Sequence, residues 1–292
     1  MLRNILRMKP RALILHLLLG AQARADAALG VRELLGAGAL FGHAPNSMRV
    51  ALARAVSAGW LVAPRRGAYA LGPMARPLAD DVGRWREPAA QAVDWNGEWI
   101  AVHAGAAGRS DRAALRARER AFALLGLAEF ERGLYLRPDN LAGGAAALRA
   151  RLHSLLPAGT DSGTAFALSA LSADAAQRAR ALWDAACLDA GYRATTARLS
   201  AWLEGASGLP LARAARESFA LGHQAIRQLV FDPWLPPPLV DGATRQRFIA
   251  AVTRHDAVGQ TIWQQYLAAL RAPGSPHGAP TLPSESPQEH IR

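Results

Sequence analysis

The segment 45–71 has the sequence PNSMRVALARAVSAGWLVAPRRGAYAL. Its first half predicts a helix that begins at Pro45, where a missing N–H costs little, and that Asn46 or Ser47 can cap. Gly59 is suited to end this helix in the left-handed conformation. The side chains expected to face inward repeat at helical spacing: Met48, Leu52, Ala55 and Val56.

The second half of the segment predicts a β-hairpin. Residues 60–63 and 68–71 are two short apolar strands, and residues 64–67 are a turn that contains proline and glycine. Two helices are predicted upstream, from Pro10 to about Ala21 and from Val31 to Leu40, each with an apolar stripe. Helix, helix, turn, helix and hairpin, in this order, predict a winged helix-turn-helix.

The N-terminal residues also permit a second interpretation. Basic residues up to Lys9 precede an apolar run, and Ala21-Gln22-Ala23 has the small residues of a signal-peptidase site. His16 interrupts that run, which is far too short to span a bilayer. We therefore interpret residues 10–21 as a structural helix.

Positive charge is concentrated in the N-terminal quarter. The chain of 292 residues carries 34 lysine and arginine residues against 23 acidic ones, a net charge of +11. Residues 1–76 hold eleven of the basic residues and only Asp26 and Glu33 among the acidic ones, a balance of +9, which leaves +2 for the other 216 residues. A basic segment on a nearly neutral body indicates a polyanion-binding module.

The predicted winged helix-turn-helix indicates how DNA would be bound. The N-terminal residues of a recognition helix can meet base edges in the major groove, where arginine pairs with guanine and asparagine with adenine. Basic residues at a hairpin tip can reach phosphates or a narrow minor groove. Taken singly, each such side chain is also compatible with a solvated surface, but the local charge of +9 favours DNA. The candidate DNA-binding residues are Asn46, Ser47, Arg49, Arg54, Arg65 and Arg66.

Five sequence patterns occur along the chain in a characteristic order. They are PRALIL (10–15), MRVALAR (48–54) running into SAGWL (57–61), WNGEW (95–99), LLGL (124–127) followed by GLYLRP (133–138), and FDPWLPP (231–237). In this order and spacing, from Pro10 to about Leu270, the chain resembles the PaaX family of bacterial transcriptional repressors.

The resemblance implies a dimeric repressor that an aryl-CoA thioester releases from DNA. It also implies a winged-helix domain, a ferredoxin-like middle domain similar to the Cas2 fold, and a helical C-terminal domain. The alanine-rich middle of the chain and the loop 104–108 depart from the family pattern. The identity of the effector therefore does not carry over.

The patterns together predict an α+β multidomain chain. The expected parts are a winged helix-turn-helix (1–76), a connector (77–94), a ferredoxin-like, Cas2-like domain (95–172), a helical C-terminal domain for the effector or dimerisation (173–271) and a disordered tail (272–292).

The elements expected in the second and third domains follow from apolar periodicity. Strands are expected at 99–103, 133–136 and 164–168, and helices at 112–125, 141–155, 174–190, 192–204, 210–231 and 243–270. The proline-rich residues 232–238 are expected to form a non-helical link.

The sequence offers little support for enzymatic chemistry. Eight histidines are scattered without metal-ligand spacing, residues 36–42 miss the GxGxxG spacing by one, and residues 161–163 lack the glycine of a nucleophile elbow. Cys187 is the only cysteine; we expect a buried, inert thiol and a reducing, cytoplasmic location. A Cas2-like nuclease would need a carboxylate after the first middle-domain strand, and residues 99–106 have none. We expect no catalytic residue, metal or cofactor.

The expected partners are double-stranded operator DNA, a second copy of the chain in a homodimer, and a small effector such as an acyl- or aryl-CoA thioester; no membrane partner is expected. CoA carries phosphates, so its site should combine arginine with aromatic surface. An effector-independent nucleic-acid-binding protein and a Cas2-like nuclease stay open as alternatives. The helical domain holds candidate effector residues, each also explicable as helix core or exterior: Arg193, Arg198, Trp202, Arg216, His223 and Arg227.

Overall fold

The computed structural model describes residues 8–21, 28–76, 79, 83, 93–104 and 111–272. The chain is mixed α/β with two antiparallel sheets. It divides into two compact units, one of Met1–Met74 with Thr261–Arg292 and one of Ala75–Gln260. Most of the expected connector (77–94), most of the loop 104–108 and the expected tail from residue 273 onward lie outside the described residues.

The first unit begins with the predicted helices and hairpin. Its elements are α1 (Pro10–Ala21), β1 (Leu29–Gly30), α2 (Val31–Leu40), α3 (Pro45–Ser57), β2 (Leu61–Arg65) and β3 (Ala68–Leu71). The three helices and the hairpin confirm the prediction, except that β2 continues through Pro64 to Arg65 and the turn has two residues rather than four. Gly59 has a φ of +72° after α3. The strands form an antiparallel sheet in the order β1-β3-β2. Strand β1 escaped prediction because two residues are too short to show a periodicity.

The helices of the first unit share one apolar core. A Cβ added to Gly38 of α2 would lie 2.7 Å from Cγ of Met48 on α3, so a larger residue here would require the Met48 side chain to move. The contact offsets the roughly 1 kcal/mol that glycine costs inside a helix. The largest fully buried side chains here are Leu13, Ile14, Leu18, Leu34, Met48, Leu52 and Leu61.

The second unit is built on a four-stranded sheet. Its elements are β4 (Trp99–His103), α4 (Arg112–Leu124), β5 (Ala128–Glu131), β6 (Leu134–Pro138), α5 (Gly144–Leu155) and β7 (Thr164–Leu168). The strand order is β5-β6-β4-β7, and every pair is antiparallel. Strand β5 was not predicted. It is an edge strand of only four residues; its apolar and acidic side chains alternate, but over a stretch too short to be distinguished as a strand.

Both faces of this sheet are covered. Ile100 and Val102 of β4 point into a core with Phe122 of α4 and Leu148 of α5. The neighbouring residues Trp99 and Ala101 point to the opposite face, into a core shared with the C-terminal helices. The alternation along β4 therefore buries both sides of the strand.

The C-terminal helices are α6 (Ala173–Arg180), α7 (Ala185–Gly205), α8 (Leu211–Val230) and α9 (Gly242–Arg271). The predicted break near residue 191 is wrong, because the chain breaks between α6 and α7 instead. Asp184 caps α7 by accepting the N–H of Cys187 at 2.8 Å. Gly191 lies inside α7, where an added Cβ would be 3.2 Å from Nε2 of Gln228 on α8. It therefore serves helix packing rather than termination.

The proline-rich link between α8 and α9 is non-helical, as predicted. Asp232 is only 3% exposed. Its carboxylate accepts the Tyr192 hydroxyl at 2.6 Å and the N–H of Trp234 at 2.7 Å. Trp234 has a φ of +53°, which is uncommon outside glycine. Arg245 donates to the carbonyl of Leu235 at 2.6 Å and lies over the Trp234 ring. Side-chain hydrogen bonds thus hold the link in place.

A buried arginine ties the sheet to the same link. Arg137 of β6 donates to the carbonyl of Leu125 and, at 2.9 Å, to Oδ1 of Asn140. Asn140 in turn donates to the carbonyl of Trp234 at 2.7 Å. Burial lowers the pKa of Arg137 to about 10, which leaves it charged at neutral pH. The resemblance segments 133–138 and 231–237 therefore meet through hydrogen bonds.

Candidate nucleic-acid interface

Helix α3 has one buried and one exposed face. Met48, Leu52 and Ala55 are buried, whereas Val56, expected to face inward, is only half-buried. At 3.6 residues per turn, Asn46 and Val50 lie at the centre of the opposite, exposed face. The other exposed candidates flank this centre, with Arg49 on one side and Ser47 and Arg54 on the other.

The expected capping of α3 by Asn46 or Ser47 is wrong. The N-cap is Ala44, which has no side-chain oxygen, and Pro45 occupies the first helical position. Asn46 and Ser47 make no side-chain hydrogen bond within the described chain. Their polar groups are therefore available to a partner, beside a helix N-terminus whose dipole favours negative charge.

The hairpin tip places two further arginines in solvent. Arg65 ends β2, and Arg66 and Gly67 form the turn, where Gly67 has a φ of +75°. The pairing of β2 with β3 shifts register between Val62 and Arg65, which marks a bulge next to the tip. Both arginine side chains are exposed.

Nothing acidic within the described first unit neutralises these arginines. Glu33 is the only acidic residue among its described positions, and it is buried on α2. Arg49, Arg54, Arg65 and Arg66 make no ion pair with any residue that the structure describes. Arg11 instead lies over the Trp60 ring, 4.8 Å from its centroid. The unit thus exposes guanidinium groups on α3 and the hairpin that have no ionic partner among the described residues, the chemistry that phosphates and guanine edges require.

Val50 is a candidate that the sequence reasoning did not single out. Its side chain is 42% exposed, on the same face as Asn46 one helical turn earlier. Because it lies opposite the buried face of α3, Val50 contributes little to the core of the unit. Helical spacing could have identified it: Val50 is two residues from both Met48 and Leu52, which places it on the opposite face of the helix.

The candidate effector residues lie on two helices. Arg193, Arg198 and Trp202 belong to α7, and Arg216, His223 and Arg227 belong to α8. Several already have partners: Arg198 donates to Gln224 at 3.4 Å, Trp202 donates to Glu217 at 3.2 Å, His223 stacks on Phe219, and Arg227 lies over Phe231.

His255 of α9 is buried near these residues and was also missed. It is 2% exposed, and its ring lies 4.9 Å from that of Trp202. Burial lowers the pKa of His255 to about 4, so the ring is neutral near pH 7. Its position across from Gly222 depends on helix packing, which spacing along the chain does not reveal.

Cys187 corrects another expectation, because it is exposed rather than buried. It lies in the first turn of α7, whose start the sequence analysis misplaced.

The described residues contain no group of three or more histidine, cysteine, aspartate or glutamate side chains arranged to hold a metal. In that same part of the chain, no helix has the length and apolar character needed to cross a membrane.

Comparison with known proteins shows a likeness in structure. No family model matches the chain, and no curated protein matches it. The chain is similar in structure to the uncharacterized protein Rv0674 from Mycobacterium tuberculosis, with a TM-score of 0.58 and 21% sequence identity. The match covers 88% of this chain and 97% of Rv0674. At this identity the likeness concerns the fold, which extends over nearly the whole of both chains.

Proposed function

We propose that the chain is a DNA-binding transcriptional regulator, with α1–α3 and the β2–β3 hairpin acting as a winged helix-turn-helix. The observation that carries this proposal is the exposed face of α3, where Asn46 and Arg49 have no partner among the described residues. Helix α3 is the recognition helix, and Arg49 pairs with guanine while Asn46 pairs with adenine. Arg65 and Arg66 of the wing contact phosphates.

The second unit supports the resemblance to PaaX repressors. Its strand–helix–strand–strand–helix–strand order, with sheet order β5-β6-β4-β7, is that of a ferredoxin-like fold.

The rival class, a single-strand or RNA binder, stacks bases on exposed sheet aromatics. Among the described aromatics of this sheet, Trp99 is buried against the C-terminal helices and only Phe166 of β7 is exposed, so no series of exposed aromatics is present for stacking bases. The favoured activity is repression by a cytoplasmic homodimer on paired half-sites, relieved by a CoA thioester bound to the helical part.

The deciding experiment is binding of the full chain to a labelled duplex from its own upstream region, with excess nonspecific DNA, at two salt concentrations. We expect retention of the specific duplex and an affinity that falls steeply with salt. CoA thioesters are then tested for release of that complex. Equal displacement by any DNA would contradict operator recognition.

The wing has its own expected signature in this assay. Changing both Arg65 and Arg66 to alanine should weaken binding to all sequences and reduce the slope of log affinity against log salt by about 2, because two phosphate contacts are lost. The matched control changes the exposed Arg112 and Arg116 of α4 to alanine, with the same loss of charge. Equal slopes for the two double variants would place the wing away from DNA.

Val50 should read a thymine methyl group if α3 lies in the major groove. Replacing thymines singly by deoxyuridine should identify one position where affinity falls about fourfold, the value of one buried carbon. V50A should lose a similar factor and become insensitive to that replacement. V62A, which alters an equally exposed valine on β2, should keep the sensitivity. A wild-type protein indifferent to every replacement would exclude this contact.

A further inference from the structure

Glu33 is a buried carboxylate inside the most basic part of the chain. It lies in the first turn of α2 and is 5% exposed. Its Oε2 accepts the N–H of Gly30 at 2.6 Å, which closes the start of the helix. Its Oε1 accepts from Arg271, with Nε at 2.9 Å and a terminal guanidinium nitrogen at 2.6 Å. A buried charge is tolerated where it is paired and hydrogen-bonded in this way.

Arg271 is the last residue of α9, and the end of that helix belongs to the first unit. Two further contacts join it to α2. The Tyr266 hydroxyl donates to the carbonyl of Gly36 at 3.2 Å. A Cβ added to Gly36 would lie 2.5 Å from Cδ1 of Leu270, so glycine leaves the space that Leu270 fills. Residues 261–271 thus pack on α2 as an additional helix of this unit.

Helix α2 is held on two sides. Gly36 faces the end of α9, and Gly38, two residues later and so nearly opposite, faces Met48 of α3. We expect a displacement of α2 to reach α3 through this contact, in which the Met48 side chain fills the space beside Gly38.

We propose that Glu33 is a positioning residue, which docks the end of α9 on α2 and thereby fixes α3 for DNA. The proposal rests on the proposed function and adds a part to it: residues 261–271 belong to the DNA-reading unit although 190 and more residues separate them from the hairpin. Glu33 touches no base or phosphate. It acts through α2.

The test uses the full chain and the variants E33Q, R271A, R271K and E33Q/R271A. Arg271 has a side chain 60% exposed, so R271A should fold. R254A is the matched control, because Arg254 is an exposed arginine earlier on the same helix. Two quantities are measured: hydrogen exchange of the α2 amides without DNA, and affinity for the upstream duplex and for nonspecific DNA.

R271A and E33Q should each speed exchange in α2 about tenfold and weaken specific binding about tenfold, because the ion pair between the buried Glu33 carboxylate and Arg271 is broken. Nonspecific affinity should change less than twofold, since the phosphate-binding arginines remain. R271K should recover part of both losses. The double variant should bind no more weakly than the weaker-binding single variant, because both substitutions remove the same interaction.

The outcomes separate this proposal from the proposed function. If the wild-type chain retains no specific duplex, DNA recognition fails even where α2 exchange responds to R271A, and the positioning role falls with it. If the wild type binds but R271A behaves like R254A in both measurements, the positioning role alone is overturned. Faster exchange with unchanged specific affinity would likewise overturn it, since the docking would then be structural only.

Discussion

Replacing Arg49 with alanine is expected to weaken specific binding to the upstream duplex about tenfold to a hundredfold. A bidentate arginine–guanine pair contributes about 1–3 kcal/mol of discrimination, and Arg49 is the arginine nearest the N-terminus of α3. Nonspecific affinity should fall much less, because it depends on phosphate contacts and Arg49 is expected to contact a base. The preference for the operator over other DNA should therefore largely disappear.

The same variant should leave the fold unchanged. Arg49 is exposed and has no partner among the described residues, so its removal should alter the free energy of unfolding by less than about 0.5 kcal/mol. The control is R149A, which removes an exposed arginine from α5 of the second unit. Gel-shift titration of both variants, with thermal unfolding alongside, checks the expectation. Full operator affinity in R49A would make α3 the wrong recognition helix.

R49A also discriminates between the function classes that the sequence left open. A metal-dependent nuclease of the Cas2 type would work from its ferredoxin-like sheet, so R49A should leave DNA cleavage untouched. A regulator should lose sequence preference and show no cleavage in either form. The two classes therefore predict different results for the same variant: unchanged cleavage for a nuclease, and lost sequence preference without cleavage for a regulator.

The elements around α3 were predictable because their signals are local. Pro45 marks the start of α3, Gly59 takes the left-handed conformation that ends it, and Gly67 lies in the turn that joins the hairpin strands. Each of these residues acts within a few positions of itself along the chain. For the same reason the exposed arginines of α3 and the hairpin could be named before the structure was known.

The misses have non-local causes. Gly191 looks like a helix terminator in the sequence, but its purpose is the approach of α8, which only packing reveals. Strand β5 has only four alternating residues, and its pairing with β6 identifies it as a strand. Glu33 and Arg271 are 238 residues apart, so no spacing rule connects them. The DNA-binding candidates named from sequence are all exposed, whereas Glu33 and His255 were missed because their roles depend on burial; Val50 was missed although it is exposed.

The second large effect is expected at Asp232, within the resemblance segment 231–237. D232A should destabilise the second unit by about 3 kcal/mol. It leaves the Tyr192 hydroxyl and the N–H of Trp234 without their acceptor, and each buried unsatisfied group costs about 1–3 kcal/mol. Burial raises the pKa of Asp232, and the two hydrogen bonds oppose that shift, so they stabilise the ionised carboxylate.

The size of the effect follows from what else this carboxylate holds. Trp234 keeps an uncommon positive φ, and its carbonyl is the acceptor for Asn140, which in turn accepts from the buried Arg137. Releasing Trp234 therefore loosens the attachment of the link to the sheet. A chain of satisfied buried polar groups loses more when one member is removed than a single pair does.

A double-mutant cycle measures the coupling directly. Y192F should cost about 1–2 kcal/mol, and the combined Y192F/D232A variant should cost less than the sum of the two single variants, because the hydroxyl and carboxylate have the same hydrogen bond to lose. D174A, an exposed aspartate on α6, is the matched control and should stay within about 0.5 kcal/mol of wild type. The readout is hydrogen exchange of core amides in α7, which follows the second unit even if the first unfolds separately. Additive single effects would mean that Tyr192 and Asp232 stabilise the link independently, and the hydrogen bond between them would then contribute nothing measurable.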